Sequence, residues 1–487
     1  ELYSKRYMAI RLLERPDEML ALLPHSEELI HVANHEREIL QQEYGLSAKE
    51  VIAQARKGFV HGALEETLTH SKHDTGHSLA DKVDKILTNK WLGLPVLMIV
   101  LYVVFECTFT LGSYPQEWIA IGVESLAEWL RRLMPIVWWS SLLIDGVVMG
   151  IGAVLAFLPN IIIMFFFLSL MEDSGYMARA AYMMDKIMHH IGLHGSSFIP
   201  MLMGFGCNVP AIMATRTLET KHSRLITMLV IPFMSCTARL PVYVLFSKIF
   251  FPQHASSVML LLYVLGILVA VISARIFKRF MIKGDETPFV MELPPYRVPT
   301  LKSAIHHMWE KSVQYLKKMG TLILFASVII WALGYFPMAK DENVTASERL
   351  EQSYIGRIGK FIEPAIEPLG YNWKMGIGIV AGLPAKELVV STLSVLYTDS
   401  DEETEESNIL AAAMKSEVRA DGTPLYTPAT VLSYLVFILL CFPCIATIMA
   451  IKSESGSWKW ALFSALYTTG VAWIIAFAVY KIGGLFL

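Results

Sequence analysis

From Glu1 to about Asn89, apolar residues recur at three- and four-residue spacing among many charges, as in "RYMAIRLLERPDEML" and "VIAQARKGFVHGALEETL". That periodicity predicts amphipathic helices in water. The pattern changes at Trp91. Trp91 to Leu111 supplies the roughly 20 apolar residues that a spanning helix requires, with Glu106 as its one acid. After Pro115, "EWIAIGVESLAEWLRRLMP" sets Trp118 and Trp129 beside Arg131 and Arg132, which predicts a helix lying in the interface. Val137 to Met171 is too long for one ordinary crossing. Its glycines, Asp145 and the "FLPN" at Pro159 and Asn160 predict a half-helix followed by a full helix. Further apolar runs cover Phe198 to Ala214, Leu225 to Phe250, Ser257 to Phe277, Gly320 to Phe336, Met375 to Tyr397, Pro428 to Ile451 and Trp458 to Tyr480.

Two of these runs cannot be regular helices. "FIPMLMGFGCNVPAIMATRTLE" holds Gly204, Gly206, Cys207, Asn208 and Pro210 in close succession, and "MGIGIVAGLPAKELVVSTL" breaks around Gly382 and Pro384 and carries Lys386 and Glu387. Proline removes an amide donor, and in a bilayer freed polar groups are tolerated only where they face protein or a wet cavity. Each broken run precedes a helix in which cysteine lies near proline, "VIPFMSCTARLPV" with Cys236 and "LLCFPCIATIMA" with Cys441 and Cys444. Three crossings separate the two, which would invert the second copy relative to the first. The expected fold is therefore an all-α polytopic membrane protein with about 7–10 membrane helices, including broken or re-entrant segments arranged as two inverted gate-type repeats. Such repeats place a transporter's substrate at the breaks. The bland alternative is that Gly and Pro merely permit close helix packing.

Composition agrees: of 487 residues, 54% are hydrophobic and 17% charged, and a net charge of −3 leaves no basic excess for nucleic acid. Lipid is the expected surrounding. Arg275, Lys278, Arg279 and Lys283 on one side of a loop, with Lys302, Lys311, Lys317 and Lys318 on the other, put that loop in the cytoplasm, together with Lys221, Arg224 and the N-terminal helices. The expected divisions are a cytoplasmic helical segment and linker at 1–89, a first membrane half at 90–284, an amphipathic cytoplasmic connection at 285–319 and a second membrane half at 320–487. No signal peptide opens the chain, and Glu1 in place of Met is expected of a piece of something longer.

Thiols and carboxylates at broken helices suit a borderline-soft divalent cation such as ferrous iron or zinc, whereas calcium or magnesium would want oxygen alone. The candidate thiols are Cys207, Cys236, Cys444 and Cys441, and the candidate acids are Asp145, Glu172 and Asp173. Asn208 joins them, and the gate backbone is assigned to Gly204, Gly206, Pro210, Gly382, Pro384, Lys386 and Glu387. Against this, a lone buried cysteine is usually a small hydrophobe. "CFPC" in an apolar run lacks the context of a redox pair. His70, His73 and His77 share one possible helix face, and His189, His190 and His194 cluster elsewhere; solvated faces explain both. No HExxH pair supports an intramembrane protease.

"MEDSGYMARAAYMMD", "GFGCNVPAIMATRTLE", "PFMSCTARLPVYVLF" and "AGLPAKELVVSTL" together resemble the membrane domain of the FeoB family of bacterial ferrous iron transporters. The resemblance runs from about Trp91 to the end, and "RYMAIRLLERPDEML" is similar to the end of the family's cytoplasmic helical domain. It implies Fe2+ uptake across the bacterial inner membrane through two gates, at Cys207 with Gly206 and Pro210 and at Gly382 through Glu387. It also implies an N-terminal GTPase domain, with GTP and Mg2+ bound only there, small cytoplasmic accessory proteins of the same system, and a homo-oligomer. No GxxxxGK[ST] phosphate loop occurs in this chain, so the chain itself should not hydrolyse GTP. Manganese or zinc transport and a nucleoside-type carrier stand as alternatives, and alternating access and channel gating both fit.

Overall fold

In a bilayer each backbone N–H and C=O must find its partner within the chain, and the apolar runs of this sequence meet that demand as helices. The computed structural model describes residues 5–14, 27–44, 47–67, 79–89, 92–135, 137–193, 195–218, 220–280, 296–297, 299–337, 346–398, 406–419 and 422–486. The chain divides into two units, Glu1–Leu79 and Ala80–Leu487.

The first unit holds α1 (Lys5–Glu14), α2 (Glu27–Tyr44) and α3 (Ala48–Thr67). A capping box starts α3: Ser47 N–H donates to the Glu50 carboxylate at 3.0 Å, and Glu50 N–H donates back to Ser47 Oγ at 3.4 Å. Arg56 of α3 pairs with Glu14 of α1 at 3.2 Å. His70, His73 and His77 lie outside the described residues.

The second unit begins with α4 (Leu79–Leu87), α5 (Gly93–Leu133), α6 (Met149–Asp173) and α7 (Tyr176–Ile191). The first broken segment follows as α8 (Phe198–Met203) and α9 (Asn208–Ala214), then α10 (Lys221–Val230), α11 (Leu240–Phe250) and α12 (Ala255–Phe280). The amphipathic α13 (Leu301–Tyr315) leads to α14 (Thr321–Tyr335) and α15 (Tyr354–Ile366). The second broken segment is α16 (Trp373–Ala381) and α17 (Leu388–Thr398), followed by α18 (Glu406–Ser416), α19 (Pro428–Leu440), α20 (Ile445–Ser455) and α21 (Trp458–Phe486). Among the described residues, six helical stretches are long and apolar enough to cross a membrane, with shorter apolar helices at Ile323–Tyr335 and Leu388–Tyr397.

Burial sorts these helices. α19 is largely apolar, and of the residues from Ala429 to Leu440 all but Leu432 are buried, as suits a helix at the centre of a bundle. In contrast, α5, α12 and α21 turn outward rows such as Met98, Ile99 and Tyr102, or Leu260, Leu261 and Val264. Such continuous apolar surface is at home against lipid tails.

Two expected breaks are absent. Pro115 lies inside α5, so the predicted span and the predicted interfacial helix are one helix; Pro159 lies inside α6, and the irregularity near Asp145 is a π-helical turn, Leu142–Val148. At 1.5 Å per residue α5 runs about 60 Å, twice a hydrocarbon core, so its Trp118 and Trp129 end still projects beyond the apolar layer. The prolines are tolerated because the two helices clamp each other beside them. Asn160 Nδ2 donates to Gln116 Oε1 at 2.7 Å, and Asn160 fits a notch left by Gly112, where a Cβ would stand 1.8 Å from Asn160 Oδ1.

Candidate functional site

The first broken segment leaves the helix at Gly204–Cys207 and resumes at Asn208. Pro210 costs nothing there, because N–H groups in a helix's first turn have no intrahelical partner. Gly206 leaves room for Met164: a Cβ on it would lie 2.4 Å from Met164 Sδ, so that side chain would have to shift. In the second segment the chain turns from Gly382 to Glu387, between α16 and α17. The two cysteine-bearing crossings are interrupted as well, between α10 and α11 around Cys236 and between α19 and α20 at Cys441 to Cys444.

The breaks are tied together in matching fashion. Thr237 donates to the Gly206 carbonyl through its N–H at 3.2 Å and its hydroxyl at 3.0 Å. Ile445 N–H donates to the Leu383 carbonyl at 3.0 Å. In each half, the residue after a cysteine secures a carbonyl within the broken segment, the one just before Cys207 or Pro384.

Cys207, Cys236 and Cys444 each occupy the N-cap of a helical turn with extended backbone, and all three line one cavity of about 500 Å³. Cys207 lies within electrostatic reach of Cys236, Cys444 and Glu387. The cavity also takes in Asn208, Pro384, Lys386 and Glu387. Glu387 Oε2 and Asn208 Oδ1 are buried with no hydrogen-bond partner among the described residues, so both have acceptor capacity left for a ligand. Cys444 Sγ lies 3.1 Å from Thr447 Oγ1. The N-terminal ends of α11, α17 and α20 converge here, and a helix N-terminus is where negative charge is best accommodated.

Two buried cations share the wall. Arg239 donates to the carbonyls of Met234 and Pro232 at 3.1 Å each, filling acceptors that the break between α10 and α11 leaves open. Lys386, 2% exposed, donates to Cys441 Sγ at 3.2 Å and sits 4.1 Å from the centre of the Phe442 ring. Cys441 is thus wholly buried behind the cavity and does not line it. Gly204 packs against Met234, and Gly382 against Val389.

The acids singled out in the sequence lie elsewhere. Asp145 accepts from Arg131 and from Ser141, both at 2.7 Å. Glu172 is 61% exposed and pairs with Lys311 of α13 at 3.1 Å. Asp173 ends α6, away from the cavity lining, with one buried carboxylate oxygen lacking a partner among the described residues. Arg239, Thr237 and Thr447 carry no mark as site residues in the sequence; the spacing of Arg239 and Thr447, each three residues after a cavity cysteine, is the available signal. Among the described residues no three His, Cys, Asp or Glu side chains close on a single point as a finished metal site.

The cavity lies alongside the middle of α6. Along α6 its lining runs from Val154 to Met164, about 28 to 14 Å from the end of the helix at Asp173.

Family comparison covers most of the chain. The family described as "Gate: Nucleoside recognition" matches residues 154–250 and 316–458, "Ferrous iron transport protein B C terminus" matches 259–311, and "FeoB cytosolic helical domain" matches 1–69. A Porphyromonas gingivalis protein named as a fusion of Fe(2+) transport protein A with the Fe(2+) transporter FeoB is 47% identical over 99% of this chain and 61% of its own length. The Fe(2+) transporter FeoB of Staphylococcus aureus is 37% identical over all of this chain and 71% of its own length, and that of Campylobacter jejuni 40% over 86% and 67%. The chain thus spans about three fifths to seven tenths of these relatives. No solved structure matches it at a significant level. With relatives this similar along its whole length, and a helical, lipid-facing bundle carrying the gate regions, the chain belongs to the FeoB family and is a multi-pass protein of the inner membrane.

Proposed function

We propose that this chain forms the path by which Fe2+ crosses the bacterial inner membrane, the cation shedding water at Cys207, Cys236, Cys444 and Glu387 between two gate repeats. The observation that carries this reading is the convergence of three thiols and a carboxylate with a free oxygen on one cavity at the chain breaks. Thiolate and carboxylate together suit a borderline-soft cation, and they exchange it readily when no closed cage holds it. The relatives' names supply the substrate. We take uptake to be coupled to a GTP-binding domain through the cytosolic helical region at 1–69. The fusion in P. gingivalis supports a small accessory partner.

A nucleoside carrier is the second reading. A volume of about 500 Å³ exceeds what one cation fills, and the amides of Gln116, Asn160 and Asn208 line it. The deciding experiment is anaerobic Fe2+ binding to the purified chain and to a triple serine variant at Cys207, Cys236 and Cys444, with Mn2+, Zn2+ and uridine as competitors. Saturable binding lost in the variant and unaffected by uridine supports iron passage. Binding indifferent to the substitutions removes the thiols from the path, and displacement by uridine alone favours the carrier.

A further inference from the structure

Two of the cavity thiols stand at the heads of helical arms that lead to the same ion cluster. From Cys207 the chain runs through α9 and the turn Thr215–Thr217 to Arg216, about 14 Å along a helix. From Cys444 it runs down α20 to Glu454, about 15 Å. Each arm is half the thickness of a hydrocarbon core. Between the two ends the helices present buried, mostly small residues, Ala211 and Ile212 on α9 and Ala446, Ala450 and Ile451 on α20.

The arms are fastened at their far ends. Glu454, its side chain 3% exposed, accepts from both ends of the Arg216 guanidinium, from Nε at 2.6 Å and from Nη2. It also accepts from Arg224 Nη2 at 2.8 Å, and the same nitrogen donates to the Glu454 backbone carbonyl at 3.1 Å. A carboxylate next to the C-terminus of its own helix is opposed by the helix dipole, so Glu454 is a poor choice for stabilising α20 alone. Two arginines from the other half of the molecule, with bidentate geometry on one, make it a strong one for joining the halves. The cluster lies at the basic end assigned to the cytoplasm, beside Lys221 at the start of α10.

We infer that Arg216, Arg224 and Glu454 form a cytoplasmic latch that holds the two thiol-headed arms together, and that release of the cation inward requires this latch to open. The iron part of this statement rests on the proposed function; the latch itself does not. It is a positioning device, and none of its members touches the cavity. Beyond the ion cluster the arms meet through apolar side chains, so loss of the Glu454 carboxylate strips Arg216 and Arg224 of their shared partner and loosens the seal, and loss of Arg216 leaves Glu454 held by Arg224 alone.

The test uses the full chain in proteoliposomes, with a membrane-impermeant maleimide applied from the cytoplasmic side and labelling of Cys207 and Cys444 read by mass spectrometry. Glu454→Gln is expected to raise the labelling rate of both cysteines about tenfold or more, and Arg216→Gln to raise it as well, while Lys221→Gln leaves it at the starting value. Thermal melting checks that each variant is folded. Should Glu454→Gln fail to fold, Arg216→Gln, which leaves Glu454 paired with Arg224, decides the matter. Unchanged labelling in a folded Glu454→Gln or Arg216→Gln protein overturns the latch. Fe2+ binding is measured on the same samples: raised labelling without any Fe2+ binding sustains the latch and refutes the iron reading, so the two fail separately.

Discussion

The N–H of Ile445 donates to the carbonyl of Leu383 at 3.0 Å, joining the second broken segment to the cysteine crossing beside it. Thr237 does the same for Gly206 in the first half. This bond exists because Leu383 precedes a proline: Pro384 has no N–H to continue α16, and the residue before a proline is pushed away from helical geometry. Pro384→Ala restores a donor that can reach the Val380 carbonyl and lets the helix run through the turn. Flux of Fe2+ into proteoliposomes is then expected to fall about tenfold, the effect of roughly 1.4 kcal/mol on the limiting step, with the protein still folded. Full flux in this variant counts against a role for the break.

Cys207→Ser keeps the volume of the side chain and exchanges a soft donor for a hard one. Fe2+ affinity, measured anaerobically by titration, should drop by at least about tenfold, the lower end of what even indirect ligand partners contribute. The melting temperature should move little, because Cys207 makes no side-chain cap to α9. Cys441→Ser, behind the cavity, should leave affinity near that of the parent chain.

The contrast between these cysteines marks what a sequence can reveal. Glycine and proline chemistry locates both breaks, since it acts within a few residues: Gly204 to Pro210 and Gly382 to Glu387 are irregular where backbone rules require it. The shared cysteine and proline pattern of the two following helices is the sequence signal for the thiols. Partners distant in sequence stay hidden. Nothing near Asp145 announces Arg131 and Ser141, and nothing near Glu172 announces Lys311, so acids that are costly in apolar runs look like ligands although each is satisfied by an ion pair. Glu387 counts as gate backbone by its place beside Pro384; its free carboxylate oxygen becomes visible only once α17 is placed against the cavity. Pro115 and Pro159 mislead for the same reason, because their helices are held by Asn160 meeting Gln116 across α5 and α6.

That clamp predicts its own variant. Gly112→Ala puts a methyl group 1.8 Å from Asn160 Oδ1 and 3.3 Å from its Cα, so the side chain cannot simply swing aside and the helices must part slightly. Overpacking of this kind costs about 1–3 kcal/mol. A thermal melt in detergent should show the loss, and Gly112→Ala combined with Asn160→Ala should recover part of it. A double variant no more stable than Gly112→Ala alone would place the strain elsewhere.

Asp84, on the short helix that precedes α5, holds three parts of the second unit together. Its carboxylate accepts from Arg179 Nε on α7 at 2.5 Å and from the Tyr296 hydroxyl at 2.5 Å, while the Arg179 guanidinium lies 3.5 Å from the centre of the Tyr296 ring. The Arg179 hydrogen bond first, and that of Tyr296 after it, hold the Asp84 carboxyl below its ordinary range despite the opposing effect of burial. Tyr296 is pushed up to about 12, by burial and then by Asp84, and so remains a donor at any physiological pH. A carboxylate depressed in the folded state adds stability that is present above its unfolded pKa of about 3.9 and disappears as pH falls through the lower folded value. The clamp is therefore complete at neutral pH and fails only in acid. Asp84→Asn should lower stability at pH 7 by on the order of 2 kcal/mol, since Arg179 is 3% exposed and loses a charged acceptor. Melts of both proteins from pH 7 down to about 3 check the assignment: the difference between them must shrink as the parent Asp84 takes up its proton, and a difference that stays constant across that range would mean that Asp84 acts through its shape and not its charge.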